Sequence, residues 1–271
     1  MKKVEIFIIG GQKCGTTALH SFLSQHPNIK PGAHKEIDFF NYDKLYNKGL
    51  NYYHSIFELN FYERYLKNLK LIDASPSYLT DQLPEITAER IYNYNHNAKI
   101  IVIVRNPLER AFSAYMMYKN RFNEGRKDWW FEWTSQRGLD TTHYLKRSNE
   151  SYESFDKFID EELNAITLNK KIECSVLPSG NYIKFINNYS KFFNNVLVIS
   201  NEFLNQNTDK AVYSIIKYLN LKSFKPNKFK GKKVFKGNYD ENISNKTYLK
   251  LSTFYEESNS ILLKDYGINY L

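Results

Sequence analysis

Hydrophobic residues along the chain alternate between short β-branched runs and longer stretches of helical periodicity. The short runs are typical of buried strands, and they are Val4–Ile9, Lys70–Asp73, Ile100–Val104 and Val196–Ser200. Strands that alternate with helices predict an α/β fold with a mostly parallel central sheet flanked by helices. We expect a single domain over residues 1–271, because no repeat, low-complexity tract or Gly/Ser linker divides the chain.

Two helices are predicted to begin directly after a strand. Apolar residues repeat at helical spacing between positions 18 and 23 until Pro27 ends the pattern, and Asn106 and Pro107 supply a cap and a first-turn proline after the third strand. The other predicted helices lie near Ser55–Leu66, Pro84–Tyr94, Ser154–Leu163, Tyr182–Phe193, Asp209–Leu219 and Lys246–Lys264.

Two segments do not fit either periodicity. Residues 123–150 contain three tryptophans, Trp129, Trp130 and Trp133, in polar surroundings unlike those of a core helix. This segment is either a lid over a pocket or an insertion with its own small core. Gly, Lys and Asn cluster between Lys222 and Asn242, which predicts a long functional loop there.

Composition and charge narrow the class of protein. With 42% hydrophobic and 25% charged residues, the chain is globular rather than disordered or collagen-like. Lys and Arg number 38 against 29 Asp and Glu, giving a net charge of +9 that favours an anionic partner such as nucleic acid, phosphate, sulfate or an acidic surface. The basic residues are dispersed, so charge alone does not choose among these partners.

Targeting and cysteine signals are sparse. The apolar run at Val4–Ile9 is too short for a signal peptide, and no stretch of about 20 apolar residues predicts a membrane span. The two cysteines, Cys14 and Cys174, are too few for a disulfide scaffold. We therefore expect a protein of the cytoplasm.

The first motif with chemistry is the segment GGQKCGTT at residues 10–17. It follows a strand and opens a helix, the setting in which backbone N–H groups and a helix N-terminus bind phosphate. In the nucleotide-triphosphate loop GxxxxGK[ST] the lysine follows the last glycine, whereas here Lys13 precedes Gly15. The spacing predicts a P-loop-like anion site but argues against an ATPase; the alternative is a glycine-rich turn without a ligand.

The second motif is IIVIVRNP at residues 100–107. An arginine at the carboxyl end of a parallel strand points toward the crevice where open α/β sheets bind ligands. Ser113 lies about two turns into the following helix, so Arg105 and Ser113 are candidates to hold a second phosphate. The alternatives are a salt-bridged strand end and a helix hydroxyl with a structural partner.

Together these segments resemble the PAPS-dependent sulfotransferases, in particular the heparan-sulfate and bacterial branch; PAPS is 3′-phosphoadenosine 5′-phosphosulfate. The resemblance covers nearly the whole chain. The similar segments are the phosphosulfate loop at 10–29, KEIDFF at 35–40, DASPSY at 73–78, the 3′-phosphate motif at 104–115, the strand region at 180–204, and KGNY at 236–239 with the terminal helix.

The resemblance implies specific roles. It assigns the 5′-phosphosulfate to Lys13, Cys14, Gly15, Thr16 and Thr17, the 3′-phosphate to Arg105 and Ser113, and the adenosine side to Lys236, Gly237 and Asn238. Lys13 would neutralise charge on the departing 5′-phosphate. Glu36 would act as the general base that takes the acceptor's proton. The implied reaction is in-line sulfuryl transfer from PAPS to a hydroxyl or amine without a metal.

Two departures bear on the acceptor. Ala74 stands where the polysaccharide enzymes carry lysine, and Asp38 stands where several carry histidine. Less positive charge disfavours an anionic polymer, so we expect a neutral sugar, a glycolipid or a small polar metabolite, with the tryptophans of 129–133 as stacking surfaces.

Two other functions stay open. A P-loop kinase of small molecules would use Asp73 to hold magnesium. A basic nucleic-acid-binding protein would use the positive surface and the many aromatic residues, although no recognisable binding module is present. We expect no nucleic acid partner.

Overall fold

The structure is a computed structural model that describes residues 2–65, 67–80, 84–224 and 242–271. The strands are β1 (Val4–Gly10), β2 (Ile29–Pro31), β3 (Lys70–Ala74), β4 (Lys99–Val104), β5 (Tyr144–Leu145), β6 (Lys171–Ile172) and β7 (Val196–Ser200). The α-helices are α1 (Thr16–Leu23), α2 (Asp43–Tyr46), α3 (Gly49–Ser55), α4 (Phe61–Tyr65), α5 (Ser77–Thr80), α6 (Pro84–Tyr94), α7 (Pro107–Asn123), α8 (Trp129–Gln136), α9 (Phe155–Thr167), α10 (Tyr182–Ser190), α11 (Asn201–Gln206), α12 (Thr208–Tyr218) and α13 (Asn245–Tyr266).

The described residues divide into two compact units. The first contains residues from 2 to 105 and from 183 to 224, and the second contains residues 106–182 and 242–271. The expectation of one domain over 1–271 stays a prediction. None of the helices in the described ranges combines the length and the apolar character needed to cross a membrane.

The first unit is built on a five-stranded sheet in the order β2-β3-β1-β4-β7, with every neighbouring pair parallel. This confirms the predicted α/β class. The register pairs Ile8 with Ala74 and Gly10 with Ile103, while Val104 pairs with Ser200. The carboxyl ends of β3, β1, β4 and β7 therefore meet at one edge of the sheet, where open α/β sheets bind ligands.

The continuous apolar runs follow from burial on both faces of the sheet. Ile100–Val104 of β4 is fully buried, and so are the apolar residues of β1. Helices α1 and α5 contact the central strand β1, and α12 contacts the edge strand β7. The core thus fixes the strands rigidly and leaves the loops at their carboxyl ends to carry polar groups.

The second unit has its own hydrophobic core, formed by α7, α9, α13 and the segment 174–177. Helix α7 begins as predicted, because the Asn106 side chain accepts hydrogen bonds from the backbone N–H groups of Leu108 and Glu109. Trp129 and Trp130 pack against this core. Two hypotheses were open for residues 123–150, and these contacts fit an insertion with packed aromatic residues better than a lid.

The tryptophan rings are engaged within the second unit. The Trp129 ring stacks on Tyr118 at 5.9 Å between centroids, and the Arg121 guanidinium lies 3.8 Å from the centre of the same ring. Arg137 lies 4.0 Å from the centre of the Trp133 ring. These rings stabilise α8, a helix that the sequence pattern did not predict, and their use as stacking surfaces for an acceptor gains no support.

The helix predicted near Ser55–Leu66 is confirmed only in its second half, where α4 spans Phe61–Tyr65. Helix α3 ends at Ser55 and α4 does not begin until Phe61. Between them Glu58 adopts a left-handed conformation with φ of 45°, and the Ala33 N–H donates to the Ile56 carbonyl. A tertiary hydrogen bond and a left-handed residue override the helical pattern there.

Candidate active site

The loop after β1 is shaped by glycines at positions where a side chain would collide. A Cβ atom on Gly10 would lie 2.5 Å from the Ile103 carbonyl oxygen, and one on Gly15 would lie 2.2 Å from Nδ2 of Asn201. Gly15 also has φ of 98°, the left-handed region that favours glycine. The close approach of β1 to β4 and the turn into α1 therefore both require glycine.

This loop presents backbone donors to a space at the sheet edge. The Cys14 N–H donates to the Gly11 carbonyl and closes the turn, and the first bond within α1 runs from the Leu19 N–H to the Gly15 carbonyl. The N–H groups at positions 16–18 therefore lack an acceptor within the helix, and no acidic side chain lies in its first turn. Such a helix start favours an anion.

The side chains of the loop differ in exposure. Lys13 is half-buried and has a left-handed φ of 72°, while Thr17 is exposed. Thr16 and Cys14 are buried, so Cys14 acts on the loop through packing and its turn. The assignment of positions 13–17 to the 5′-phosphosulfate stays a prediction, and the cationic side chain, hydroxyls and helix start fit that group.

Arg105 lies beside this loop. It follows β4 directly, its side chain is half-buried, and its Nη1 lies 3.5 Å from the Lys13 carbonyl oxygen. Because Ile103 pairs with Gly10, the ends of β1 and β4 carry these two cationic residues to the same place. Two cations of this kind fit a ligand with more than one anionic group.

The other predicted nucleotide contacts lie in the second unit or outside the described residues. Ser113 lies on α7 in the second unit and is 3% exposed. Its pairing with Arg105 on a 3′-phosphate stays a prediction. Lys236, Gly237 and Asn238 lie outside the described residues, as does most of the loop predicted between Lys222 and Asn242.

Glu36 reaches the same edge on the opposite side of β1. Its backbone N–H donates to the Ala74 carbonyl at 3.1 Å, and Ala74 pairs with Ile8 of β1. The Glu36 side chain is 55% exposed, and its Oε1 lies 2.6 Å from Nζ of Lys35. Glu36 is thus an accessible carboxylate beside the end of β3, and it forms an ion pair with Lys35.

A histidine on α1 lies close to this ion pair. Burial, followed by the positive charge of Lys35, lowers the pKa of His20 to about 4. His20 is therefore neutral at pH 7. The other nearby imidazole, His34, is exposed, and its Nδ1 lies 3.3 Å from the Lys35 carbonyl oxygen.

Asp73 argues against the kinase alternative. Its carboxylate is 1% exposed and accepts hydrogen bonds from the hydroxyls of Tyr53, Ser75 and Tyr78. Burial raises its pKa, and the three donors oppose that rise. Both carboxylate oxygens are thereby occupied, whereas a magnesium-holding aspartate must offer an oxygen to the ion. Among the described residues, no group of three or more His, Cys, Asp or Glu side chains is arranged to hold a metal.

One residue of the site, Asn201, was missed in the sequence. Asn201 follows the last parallel strand and places its amide against Gly15, and the only available signal was a polar residue at a strand end. Asp38 and Ala74 are both buried, and Asp38 accepts a hydrogen bond from the Ser77 hydroxyl. The absence of lysine at Ala74 is consistent with the expected lower positive charge near the acceptor.

Comparisons with known proteins agree with this geometry. The sulfotransferase domain family matches residues 3–264. Human heparan sulfate glucosamine 3-O-sulfotransferase 5 is 38% identical over 109 residues, which are 40% of this chain and 29% of the relative. The membrane-associated sulfotransferase kil1 of Dictyostelium discoideum is 39% identical over 111 residues, 40% of this chain and 21% of the relative. The chain spans less than a third of the length of these two relatives.

A solved structure shows the same fold. The sulfotransferase from Alicyclobacillus acidocaldarius superposes with a TM-score of 0.68 at 23% identity, covering 97% of this chain and 96% of the other. The family match extends over almost all of the described elements, and it includes the loop at 10–17, Glu36 and Arg105. The chain belongs to the sulfotransferase-domain family.

Proposed function

We propose that this protein transfers a sulfuryl group from PAPS to a hydroxyl or amine of a neutral acceptor, at the carboxyl edge of the sheet in its first unit. The observation that carries the proposal is the convergence of three strand ends. The Lys13 loop follows β1, Arg105 follows β4, and Glu36 is hydrogen-bonded to the end of β3.

The chemistry follows from these groups. The acceptor oxygen or nitrogen forms a bond to sulfur while the bond from sulfur to the 5′-phosphate oxygen breaks. Glu36 takes the proton that the acceptor loses. The bond electrons remain on the 5′-phosphate oxygen, where Lys13 and the N–H groups at the start of α1 stabilise the negative charge.

The donor side favours a nucleotide with separated anionic groups. Lys13 and Arg105 come from different strand ends, so a bisphosphate nucleotide engages both, with Ser113 as a further partner of the 3′-phosphate. Contacts of Lys236, Gly237 and Asn238 with the adenosine side belong to the same proposal.

On the acceptor side, we propose a neutral sugar, a glycolipid or a small polar metabolite. Ala74 supplies no charge, and Asp38 places a carboxylate near Glu36 in sequence at a buried position. Two acidic residues and no lysine at position 74 disfavour an anionic polymer. Location in the cytoplasm and the absence of a metal requirement stay predictions.

A labelled-transfer assay tests the proposal. The protein is incubated with ³⁵S-PAPS and, separately, cellobiose, glucosylceramide, glucosamine and the anionic polymer heparosan. We expect label in at least one of the first three, less in heparosan, and at least about a hundredfold slower labelling with Glu36→Gln. No transfer and no release of adenosine 3′,5′-bisphosphate (PAP) would contradict the proposal; phosphoryl transfer from γ-³²P-ATP with magnesium would favour the kinase.

A further inference from the structure

The segment that carries Glu36 is attached to the end of β3 through its own backbone donors. Four N–H groups of residues 36–40 donate to acceptors on residues 74–78. The pairs are Glu36 to the Ala74 carbonyl at 3.1 Å, Asp38 to Ser75 Oγ at 3.2 Å, and Phe39 and Phe40 to Tyr78 Oη at 2.9 and 3.5 Å. Two of these three acceptors are side-chain hydroxyls.

Asp73 fixes the orientation of these two hydroxyl groups. The Ser75 hydroxyl donates to Oδ1 of Asp73 at 2.8 Å, and the Tyr78 hydroxyl donates to Oδ2 at 2.9 Å. A hydroxyl has one proton, so an oxygen that donates to Asp73 presents its lone pairs to other donors. The buried carboxylate thereby makes Ser75 and Tyr78 acceptors for the N–H groups of the Glu36 segment.

The segment needs such anchoring because its backbone is strained. Glu36 has φ of 61° and Asp38 has φ of 54°, and both are left-handed residues that are not glycine. Residues in this region persist only where the surroundings hold them. Burial raises the pKa of the Tyr78 hydroxyl well above its ordinary value, so the donor to Asp73 keeps its proton at any assay pH.

We propose that Asp73, Ser75 and Tyr78, here called the Asp73 clamp, are positioning residues that hold Glu36 in the geometry needed to take the acceptor's proton. The inference rests on the proposed role of Glu36. The clamp touches the peptide backbone of the Glu36 segment, and its effect on turnover passes through Glu36.

The chain offers a matched control. The Tyr53 hydroxyl donates to the same Oδ2 of Asp73 at 2.9 Å, and Tyr53 is as fully buried as Tyr78. Only Tyr78 also accepts from the Phe39 N–H. Tyr53→Phe and Tyr78→Phe therefore remove equivalent bonds to Asp73, but only the second releases the Glu36 segment.

The experiment measures PAP release from saturating PAPS with whichever of cellobiose, glucosylceramide and glucosamine the transfer assay labels best. We expect Tyr78→Phe to lower kcat by about ten- to a hundredfold, the range for a small displacement of a reacting group, with little change in KM for PAPS. Tyr53→Phe should also lower the urea midpoint, because it removes the same kind of bond to Asp73, but it should change kcat by less than about threefold. A kcat loss in Tyr53→Phe equal to that in Tyr78→Phe would overturn the inference.

A second measurement asks whether the effect passes through Glu36. In the Glu36→Gln background, adding Tyr78→Phe should lower kcat by less than about twofold, because groups that act as a unit are not additive. Multiplicative losses would overturn the inference. If Tyr78→Phe does not fold, Ser75→Ala replaces it and should give the same pattern, since Ser75 accepts from the Asp38 N–H.

Failure of the inference and failure of the proposed function are distinguishable. If wild type releases PAP and Glu36→Gln does so at least about a hundredfold more slowly, but Tyr78→Phe is as active as Tyr53→Phe, the clamp is wrong and the function stands. If wild type binds no PAP and releases none, the function itself is wrong.

Discussion

Each unit buries a carboxylate, and the two are stabilised in different ways. In the second unit Glu162 is fully buried, pairs with the Arg147 guanidinium at 2.8 Å, and accepts from the N–H groups of Val176 and Leu177. In the first unit Asp73 accepts from neutral hydroxyls. Glu162 joins α9 to Arg147 and to the N–H groups of Val176 and Leu177, whereas the hydroxyl set holds a strained turn that carries Glu36. The buried Glu162 carboxylate therefore stabilises the fold, whereas the buried Asp73 carboxylate positions the general base Glu36.

The largest effect is expected at Glu36, the carboxylate whose segment the Asp73 clamp holds in place. Glu36→Gln keeps the shape and hydrogen bonding of the side chain but removes its ability to accept a proton. Turnover should fall by about 10²- to 10⁴-fold, the range for loss of a general base. PAP affinity and the urea midpoint should stay close to wild type, because Glu36 is half exposed and lies at the surface. Turnover near wild type on an alcohol acceptor would remove Glu36 from this role.

The opposite pattern is expected in the second unit. Arg147→Met leaves Glu162 buried without its cation, which should lower the free energy of unfolding by about 3–5 kcal/mol. Urea denaturation measures this loss, and the double variant Arg147→Met with Glu162→Gln should recover part of it. The kcat of the folded protein should change by less than about threefold, because the molecules that remain folded keep the carboxyl edge of the five-stranded sheet intact. A larger loss of kcat without a change in unfolding would break the comparison.

Lys13→Ala tests whether the loop after β1 in the first unit stabilises the leaving phosphate. Its charge acts on the leaving phosphate, so removing it should lower kcat by about 10²- to 10³-fold while PAP affinity falls only modestly. Stopped-flow release of PAP and calorimetric titration with PAP separate the two effects. An active Lys13→Ala variant would mean that the loop does not serve the leaving group.

The smallest expected effect is a change of stability with pH at His20. Its folded pKa of about 4 lies below the unfolded value of 6.5, so the unfolded chain takes up this proton first as pH falls. The stability that neutral His20 contributes is complete above pH 6.5 and is lost as pH drops toward 4. His20→Gln should therefore give a flatter urea midpoint between pH 6.5 and 4, and an unchanged slope would contradict the burial of this ring.

Much of the frame could be predicted from the sequence. The four longer strands β1, β3, β4 and β7 appear as β-branched runs whose ends lie within about one residue of those predicted. Strand β2 was missed, because Ile29–Pro31 is three residues long and pairs only with β3 at the sheet edge. Short edge strands leave too few residues for a period to be recognised.

The site was harder to predict than the strands. The glycines and Lys13 could be placed in a loop by their spacing, but the left-handed conformations of Lys13, Glu36 and Asp38 leave no mark in a sequence of non-glycine residues. In the sequence, Tyr53 and Tyr78 are indistinguishable from ordinary aromatic residues of a core. Their convergence on Asp73 depends on tertiary packing, and no local pattern encodes it.

The most direct test of the central claim is thermal unfolding with three nucleotides. The account predicts that PAP at about 100 times its Kd raises the Tm by about 5 °C, more than ATP with magnesium at the same concentration. Arg105→Ala should reduce the shift with PAP far more than the shift with adenosine 5′-phosphosulfate, which lacks the 3′-phosphate. Equal or greater stabilisation of the wild-type protein by ATP with magnesium would contradict the claim that this sheet edge is built for PAPS.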